Sequence, residues 1–437
     1  MIYILIFLIT ILLLLSYFLT NKDILSPWFI SCSMYLISTI FLAINAENWN
    51  VEIGAKTVLT IICALIIFGV GELVVRYAYE KRTTTGKKST AIQLPNNGRP
   101  IVIPTYQIGL ITVAMLIILM WYFKETYRLS LLGGNPGDYT LMLKYARSAS
   151  VTNAINPILT LLLALCTSMA YFLIFVIMYN KIYFDKKVKW RVYLIPLIFF
   201  VGQLVLTTGR QFFIQLITTF IIISFILIKR KNNWSRKNKK LIYIGLLAIL
   251  LFLGLFFLLG FLTNKSFLGF YRTISIYIGS SIVGLDHYLK NPTASSPYIG
   301  GNTLFGIYAS LGQFGFSVPK LYAPLEFFYI GYDGSNIYTP LRRYIQDFSF
   351  LGMCLIQLLL GMIYASALMY IRSRQKIGVS IIIFAMFFYP IVESAIEERF
   401  FMLILSFNAA FKAFGVIFFY WLFVSPKKER KKLKYSY

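Results

Sequence analysis

The chain has 437 residues, of which 58% are hydrophobic and 17% aromatic, while only 13% are charged. Its mean hydropathy of +0.73 excludes a soluble globular protein, which would need far more polar surface to cover its core. The net charge of +26 does not indicate nucleic-acid binding, because the basic clusters are short and divided among loops between apolar segments.

Apolar runs of about 18 residues or more recur along the chain, and each could cross the roughly 30 Å hydrocarbon layer as a helix. The runs are continuous rather than alternating, which favours helices over the strands of a barrel. The predicted fold class is an all-α polytopic membrane protein with a single integral membrane domain, residues 1–437. Eleven transmembrane helices are predicted near 2–20, 27–44, 54–75, 103–123, 156–180, 192–208, 211–228, 241–262, 349–371, 378–392 and 400–423.

The loops between these helices alternate in charge. One set is strongly basic: 76–99, 181–191, 229–240, 372–376 and the tail from 427. Because basic loops stay on the cytoplasmic side, the alternation predicts an external N-terminus and a cytoplasmic C-terminus. Two large loops, 124–155 and 263–348, are then extracytoplasmic.

The smaller loop, 124–155, carries a turn-rich stretch at 132–139 and a short predicted helix at 140–147. One interpretation is a surface turn with a capping helix. The other is the rim of a substrate cleft that offers Lys144 and Arg147 to an anion.

Arg210 lies in a tight turn between two predicted spans. An arginine at that depth must meet a carboxylate, a phosphate or water. It is either an anchor that reaches the lipid head groups or a functional residue. The functional interpretation is favoured, because anchors of this kind usually lie on the basic side of the membrane.

The large loop, 263–348, concentrates the scarce ionisable groups of the chain. Residues 270–289 are predicted to form a helix that carries Arg272, Asp286 and the only histidine, His287. A lone histidine is more often structural than catalytic, and both roles stay open. A second amphipathic segment with short helical structure is predicted over 297–315.

At the end of this loop, Pro340 is expected in the first turn of a helix that runs into the next span. Tyr338 precedes it, and Arg342 and Arg343 follow. Arg343 and Asp347 are spaced i,i+4, which allows a surface ion pair worth about 0.3–0.5 kcal/mol. Alternatively one arginine faces a cleft and Asp347 orients it.

Three carboxylates and an arginine crowd a short turn near the C-terminus: Glu393, Glu397, Glu398 and Arg399. Adjacent carboxylates repel one another unless they are paired, hydrated or partly protonated. A carboxylate held there is a candidate general base. A solvated turn is the favoured interpretation.

Three stretches resemble one family. They are Thr-Gly-Arg-Gln-Phe-Phe at 208–213, the segments 277–289 and 300–305, and Asn-Ile-Tyr-Thr-Pro-Leu-Arg-Arg at 336–343 with its continuation to 352. They resemble O-antigen and capsular polysaccharide repeat-unit polymerases (Wzy type), which are GT-C-like membrane glycosyltransferases. Ser349 stands where that family commonly has the glycine of Asp-Phe-Gly.

The resemblance implies a polymerase at the outer face of the bacterial cytoplasmic membrane. It would join undecaprenyl-pyrophosphate-linked oligosaccharide repeat units and release undecaprenyl pyrophosphate, in O-antigen, capsule or exopolysaccharide synthesis. No metal and no other cofactor is expected, and a flippase and a chain-length regulator are the implied partners.

The chemistry of such a reaction assigns candidate roles. Fixed arginines stabilise a departing pyrophosphate, and the attacking hydroxyl needs a base within hydrogen-bond reach. The candidates for the pyrophosphate are Arg210, Arg272, Arg342 and Arg343. Tyr338 is expected to stack on a sugar, and the candidate bases are His287, Asp286 and Glu397.

Two rival functions are a polysaccharide flippase and an O-antigen ligase, which transfers a finished glycan. A transporter typically has internal repeats, broken helices and ionisable groups within the membrane. The chain shows no internal repeat, and its predicted spans hold few charges beyond Glu72 and Lys412. The ligase shares the chemistry of the polymerase, and the sequence alone separates these two poorly.

Overall fold

A computed structural model describes residues 1–84, 98–150, 155–184, 190–234, 267–318, 325–374 and 376–424, together with 243, 245 and 254. The chain divides into two compact units. The first comprises Met1–Ser89, Ser266–Ser373 and Phe387–Ala410. The second comprises Thr90–Lys265, Arg374–Met386 and Phe411–Tyr437.

The described residues are mostly helical and contain almost no strand, which confirms the all-α class. The helices of the first unit are α1 (Ile2–Leu19), α2 (Pro27–Trp49), α3 (Ala55–Thr84), α9 (Phe267–Lys290), α10 (Phe305–Gln313), α11 (Pro340–Ser373) and α13 (Tyr389–Val392). The second unit contains α4 (Thr105–Leu132), α5 (Met142–Ala149), α6 (Pro157–Phe184), α7 (Leu194–Leu206), α8 (Arg210–Lys231) and α12 (Val379–Met386). The last helix, α14 (Phe407–Val424), begins in the first unit and continues in the second.

Within the described residues, eight helices are long and apolar enough to cross a membrane: α1, α2, α3, α4, α6, α8, α11 and α14. The predicted count of eleven is not confirmed. The predicted span 241–262 lies outside the described residues, apart from the isolated positions. The span 192–208 is a shorter apolar helix, and 378–392 is divided between α12 and α13.

Local sequence signals set the ends of α2. The Ser26 hydroxyl accepts a hydrogen bond from the Phe29 backbone N–H at 3.2 Å, and Pro27 occupies the first helical position. Asn50 ends the helix in the left-handed conformation, with φ of 48°. These caps bring the chain directly from α2 into α3.

Glycines allow α3 and α11 to pack closely. A Cβ added at Gly71 would overlap the backbone oxygen of Leu358, and one added at Gly361 would overlap that of Phe68. Small residues at such crossings let two helix backbones approach within the membrane, where the hydrophobic effect does not drive association.

Replacing Gly361 with alanine is expected to lower the free energy of unfolding by about 1–3 kcal/mol, because the obstructing atoms belong to the backbone and cannot rotate away. Gly109 in α4 is the matched control, since a Cβ there meets nothing within 4 Å. Thermal unfolding of both alanine variants in the same detergent tests the prediction. Equal midpoints would show that the α3–α11 contact tolerates a larger separation.

A buried ionic network joins α3 and α11 to the α1–α2 loop. Arg76 pairs with Asp23 at 2.8 Å and with Glu72 at 2.6 Å, and Arg372 pairs with Asp23 at 2.5 Å. The Trp28 backbone N–H donates to Glu72 at 2.8 Å. Glu72 therefore has a structural partner at each carboxylate oxygen.

The helix α11 contains a sharp break at Ser349, whose φ is 64° and ψ is −179°. This conformation is essentially restricted to glycine, because a Cβ makes it strained. The chain thus adopts at Ser349 a backbone geometry that glycine accommodates without strain. The break separates the polar first turns of α11 from its long apolar part.

Replacing Ser349 with glycine is expected to raise the free energy of unfolding by about 1 kcal/mol, because it removes the strain at an exposed position. Replacing it with alanine should give no such gain, since alanine has the same Cβ. Thermal unfolding in one detergent compares the two variants. A glycine variant no more stable than the alanine variant would show that the break carries no strain.

Candidate functional site

The first turns of α11 carry two adjacent buried arginines. Pro340 begins the helix, as predicted, and both Arg342 and Arg343 are only 1% exposed. The N-terminus of a helix already carries a partial positive charge. Two further positive charges at this end form a strongly cationic site, which must be balanced by carboxylates or by a bound anion.

Arg342 is held from two sides. Its Nη2 pairs with the Glu326 carboxylate at 2.5 Å, and its guanidinium lies 4.0 Å from the ring centre of Tyr338 and 5.1 Å from that of Tyr288. Within the part of the chain that the structure describes, its Nε and Nη1 atoms have no hydrogen-bond partner. Arg342 therefore retains two buried donors that an anion can accept.

A row of rings leads away from Arg342. Tyr338 contacts Phe328 edge to face, with 5.0 Å between the ring centres, and Phe328 stacks on His287 with 5.7 Å between the ring centres. Burial raises the pKa of Tyr338, although nearby Arg342 acts in the opposite direction. The Tyr338 hydroxyl donates to the Glu326 backbone oxygen at 3.2 Å. The Tyr338 ring is buried against Arg342 and therefore has no open face for a sugar. His287 is exposed at the far end of this row.

Arg343 faces a different set of groups. Its Nη1 donates to the backbone oxygen of Asn302 at 3.0 Å, and its charge interacts with Glu397 and Glu398. Asp347 binds the same segment, accepting from the Asn302 and Thr303 backbone N–H groups at 3.0 and 2.6 Å. The predicted Arg343–Asp347 contact is replaced by this arrangement, in which both residues fix the segment around Asn302.

The turn that contains Glu393, Glu397, Glu398 and Arg399 lies in the first unit and is only partly exposed. The interpretation as a solvated turn is wrong for Glu393 and Glu398, which are buried. Ser394 and Glu397 line one cavity together with Ala64 and Phe68 of α3. Ala64 and Phe68 lie 10 and 14 positions after Gly54, the residue that precedes α3, which is about 15–20 Å along the axis of that helix. The cavity therefore borders the middle of α3 rather than its end.

Arg399 connects two of these carboxylates. Its Nε donates to Glu393 at 2.9 Å, and its Nη2 pairs with Glu397 at 2.6 Å. Burial raises the pKa of the Glu393 carboxyl, and the Arg399 charge partly offsets this. The Glu397 side chain is 28% exposed and that of Glu393 is 4% exposed, so Glu397 is the more accessible of the two carboxylates that pair with Arg399.

Glu398 has a structural role. Its carboxylate accepts from the backbone N–H groups of Phe401 and Met402 at 2.8 and 2.9 Å, and from the Tyr344 hydroxyl at 3.1 Å. Burial raises the pKa of Glu398, while these hydrogen bonds and the Arg343 charge lower it. Glu398 thus holds the short π-helix Phe400–Ile404 against α11.

The cavity beside this turn has a volume of about 40 Å³. Polar side chains of Tyr35, Tyr344, Gln357 and Glu397 line it, together with the apolar residues of α3 and α11. A polar space of this size has room for water but not for a sugar ring. A substrate hydroxyl can therefore reach Glu397 only from its exposed side.

Asp286 is engaged in holding α3. Its carboxylate accepts from the Gly54 backbone N–H at 2.6 Å and the Thr57 hydroxyl at 2.5 Å, and it pairs with Lys290 at 2.6 Å. A carboxylate at a helix N-terminus satisfies donors that the helix cannot pair internally. The structure thus gives Asp286 the role of a helix cap, which leaves it poorly suited to act as a base.

Arg272 is an exposed residue of α9. The helix that carries it was correctly predicted, but its side chain is 55% exposed and pairs with Asp333 at 2.5 Å. Arg272 uses both Nε and Nη2 on this carboxylate, whereas Arg342 uses only Nη2 on Glu326, so Arg272 has fewer donors left for a pyrophosphate. Arg272 lines an open cleft beside a short antiparallel hairpin, β1 (Phe328–Ile330) and β2 (Asp333–Ser335).

Arg210 belongs to the second unit and begins α8 in a buried position. The preceding Thr208 has a φ of 55°, a strained value for a β-branched residue. The Arg147 guanidinium donates to the Thr208 backbone oxygen at 2.7 Å and so holds this turn. The predicted short helix of the smaller loop is confirmed as α5, and its Arg147 lies beside the Arg210 turn.

The sequence did not reveal Glu326 and Tyr288 as the surroundings of Arg342. Their only signal was the presence of a carboxylate and an aromatic residue in the same polar loop. Within the described residues, no group of three or more His, Cys, Asp or Glu side chains is arranged to hold a metal ion.

Comparisons with known proteins do not identify a relative. The chain matches no protein-family model, no curated protein and no solved structure.

Proposed function

We propose that this protein is a membrane glycosyltransferase that joins undecaprenyl-pyrophosphate-linked oligosaccharide repeat units and releases undecaprenyl pyrophosphate. The proposal combines the sequence resemblance with the two buried arginines at the start of α11. The reaction occurs at the outer face of the bacterial cytoplasmic membrane, with the N-terminus outside and the C-terminus inside. A flippase supplies the substrate, and a chain-length regulator is a further partner.

The observation that carries the proposal is the environment of Arg342. A departing pyrophosphate gains negative charge in the transition state, and fixed donors in a site with little water stabilise it strongly. Arginine remains charged when buried and presents several donors to a phosphate. Arg342 has two buried N–H groups without a partner in the described part of the chain, at a helix end that itself favours anions.

The remaining roles follow from the contacts. Arg343 links the arginine site to the acidic turn, because its charge interacts with Glu397 and Glu398. Glu397 is the base that accepts the proton of the attacking hydroxyl, since it is accessible and is oriented by Arg399. Arg210 is a separate pyrophosphate candidate in the second unit.

A transporter is the second candidate, favoured by one observation. The predicted span 378–392 is not one continuous helix, and the segment after α13 carries buried carboxylates beside the apolar middle of α3. Broken helices with ionisable groups are typical of transporters. The polymerase is preferred because each of these carboxylates already has a partner within the fold. Glu393 and Glu397 both pair with Arg399, and Glu398 accepts hydrogen bonds from backbone N–H groups of the π-helix.

Deleting the gene and restoring it in the same host tests the proposal. A polymerase predicts that the deletion strain carries single repeat units at the outer leaflet and no long polymer, and that the restored gene returns the polymer. Loss of lipid-linked units from the outer leaflet would instead identify a flippase. Polymer that is complete but not attached to its acceptor would identify a ligase.

A reaction with purified components gives the direct measurement. The full chain in lipid nanodiscs is expected to convert lipid-linked repeat units into longer chains, with release of undecaprenyl pyrophosphate. Absence of both products under conditions where the protein remains folded would contradict the proposal.

A further inference from the structure

The first unit contains an open cleft of about 470 Å³, separate from the residues that surround Arg342. The last turn of α2, the start of α9 and the turn between β1 and β2 form its walls. Gly331 in that turn has a φ of 57°, and a Cβ there would come within 3.0 Å of the Asn48 backbone oxygen. The sequence therefore places glycine where the hairpin meets α2.

The polar groups of the cleft have no net charge. The Arg272 guanidinium binds the Asp333 carboxylate through both Nε, at 2.6 Å, and Nη2, at 2.5 Å. The amide side chains of Asn45 and Asn48 line the same space. The charges of Arg272 and Asp333 cancel, and the cleft offers both hydrogen-bond donors and acceptors. Such a site suits an uncharged ligand with several hydroxyl groups better than a phosphate.

Three aromatic side chains border this space, of which Trp49 is buried. Tyr271 is exposed, and Tyr332 at the hairpin turn is fully exposed. Aromatic rings provide rigid apolar surfaces at low conformational cost. A sugar ring, which has C–H groups on its faces and hydroxyl groups around its edge, matches an aromatic surface surrounded by amides and a charged pair.

A buried hydroxyl supplies an independent observation. Ser275 lines the cleft and is 1% exposed, and its hydroxyl has no hydrogen-bond partner within the described part of the chain. Thr273, two residues earlier on α9, instead donates to the Gly269 backbone oxygen at 2.6 Å. A buried polar group without a partner is costly, and a ligand hydroxyl at the cleft would satisfy it.

We propose that this cleft is a saccharide-binding subsite that holds a neutral sugar ring, with Tyr332 stacked on the ring and Asn48 and the Arg272–Asp333 pair bound to its hydroxyl groups. The identity of that sugar as part of the repeat-unit oligosaccharide rests on the proposed function. Binding of a saccharide at the cleft does not.

Titration of the full chain in nanodiscs tests this subsite. The probe is the repeat-unit oligosaccharide of the host, released from its lipid by mild acid, and saturation-transfer NMR or calorimetry reports binding. Tyr332→Ala and Asn48→Ala are each expected to raise the Kd about five- to tenfold. Inorganic pyrophosphate at equal concentration is expected not to displace the oligosaccharide.

Tyr329→Ala is the matched control. Tyr329 is 85% exposed on the same hairpin but does not line the cleft, so its loss is expected to leave the Kd unchanged. An equal effect of Tyr329→Ala and Tyr332→Ala would overturn the subsite and indicate that both rings contact lipid. Unaltered binding by Tyr332→Ala and Asn48→Ala, or displacement by pyrophosphate, would overturn it as well.

The two proposals fail in different ways. Arg342→Ala is expected to bind the oligosaccharide with unchanged Kd while forming polymer about 10²- to 10³-fold more slowly. Oligosaccharide binding that depends on Tyr332, in a protein that forms no polymer, would support the subsite and contradict the polymerase. Normal polymer with oligosaccharide binding that is insensitive to Tyr332 would support the polymerase and contradict the subsite.

Discussion

Replacing Arg342 with alanine is expected to lower the rate of polymer formation by about 10²- to 10³-fold, the usual cost of removing one fixed donor to transition-state charge. Lysine at this position should restore only part of the rate, because an ammonium cannot present several donors in one plane. The measurement is the initial rate of chain elongation by purified protein, at matched amounts of folded protein in the membrane.

A paired substitution separates this role from simple charge balance. Arg342 neutralises Glu326, at 2.5 Å, so the alanine variant leaves one carboxylate without its partner. If the pair is only structural, then adding Glu326→Gln to Arg342→Gln should restore most of the activity. If Arg342 binds the pyrophosphate, the double variant stays inactive while Glu326→Gln alone retains activity. Recovery in the double variant would therefore remove Arg342 from the chemistry.

Local signals in the sequence predicted the frame of this site well. Proline at the start of α11 and the apolar stripe of α9 depend only on neighbouring residues, so those helices could be predicted from short windows. The left-handed backbone at Ser349 was not predicted, because serine gives no local signal for it.

The partners of the charged groups could not be predicted in the same way. Asp286 caps α3 through Gly54, which is 232 residues away, and Arg272 pairs with Asp333, which is 61 residues away. Such pairs depend on how the helices pack, and no periodicity in the sequence encodes them. These distant partners are the reason that Glu397 is preferred among the candidate bases, and Arg342 among the candidate pyrophosphate ligands.

The acidic turn was misjudged for a related reason. Adjacent carboxylates usually indicate water, because a buried charge is costly unless it is paired. Here Arg399 supplies one pairing charge for two carboxylates, and backbone N–H groups of the π-helix supply further donors to Glu398. The sequence contained Arg399 in the same turn, but its single charge gave no indication of how far it offsets burial.

Glu397 is expected to be the carboxylate on which elongation depends. Replacement by glutamine removes its ability to accept a proton but keeps its shape, so the elongation rate should fall by about 10²- to 10⁴-fold. Glu393→Gln is the matched control, since Glu393 binds the same arginine but is buried and has no access to a substrate. It should change the rate by less than about tenfold, because glutamine still accepts the hydrogen bond from Arg399. Equal losses of rate in the Glu397→Gln and Glu393→Gln variants would mean that the two carboxylates act only by holding Arg399. A larger loss of rate in His287→Gln than in Glu397→Gln would assign the role of base to the exposed His287 imidazole instead.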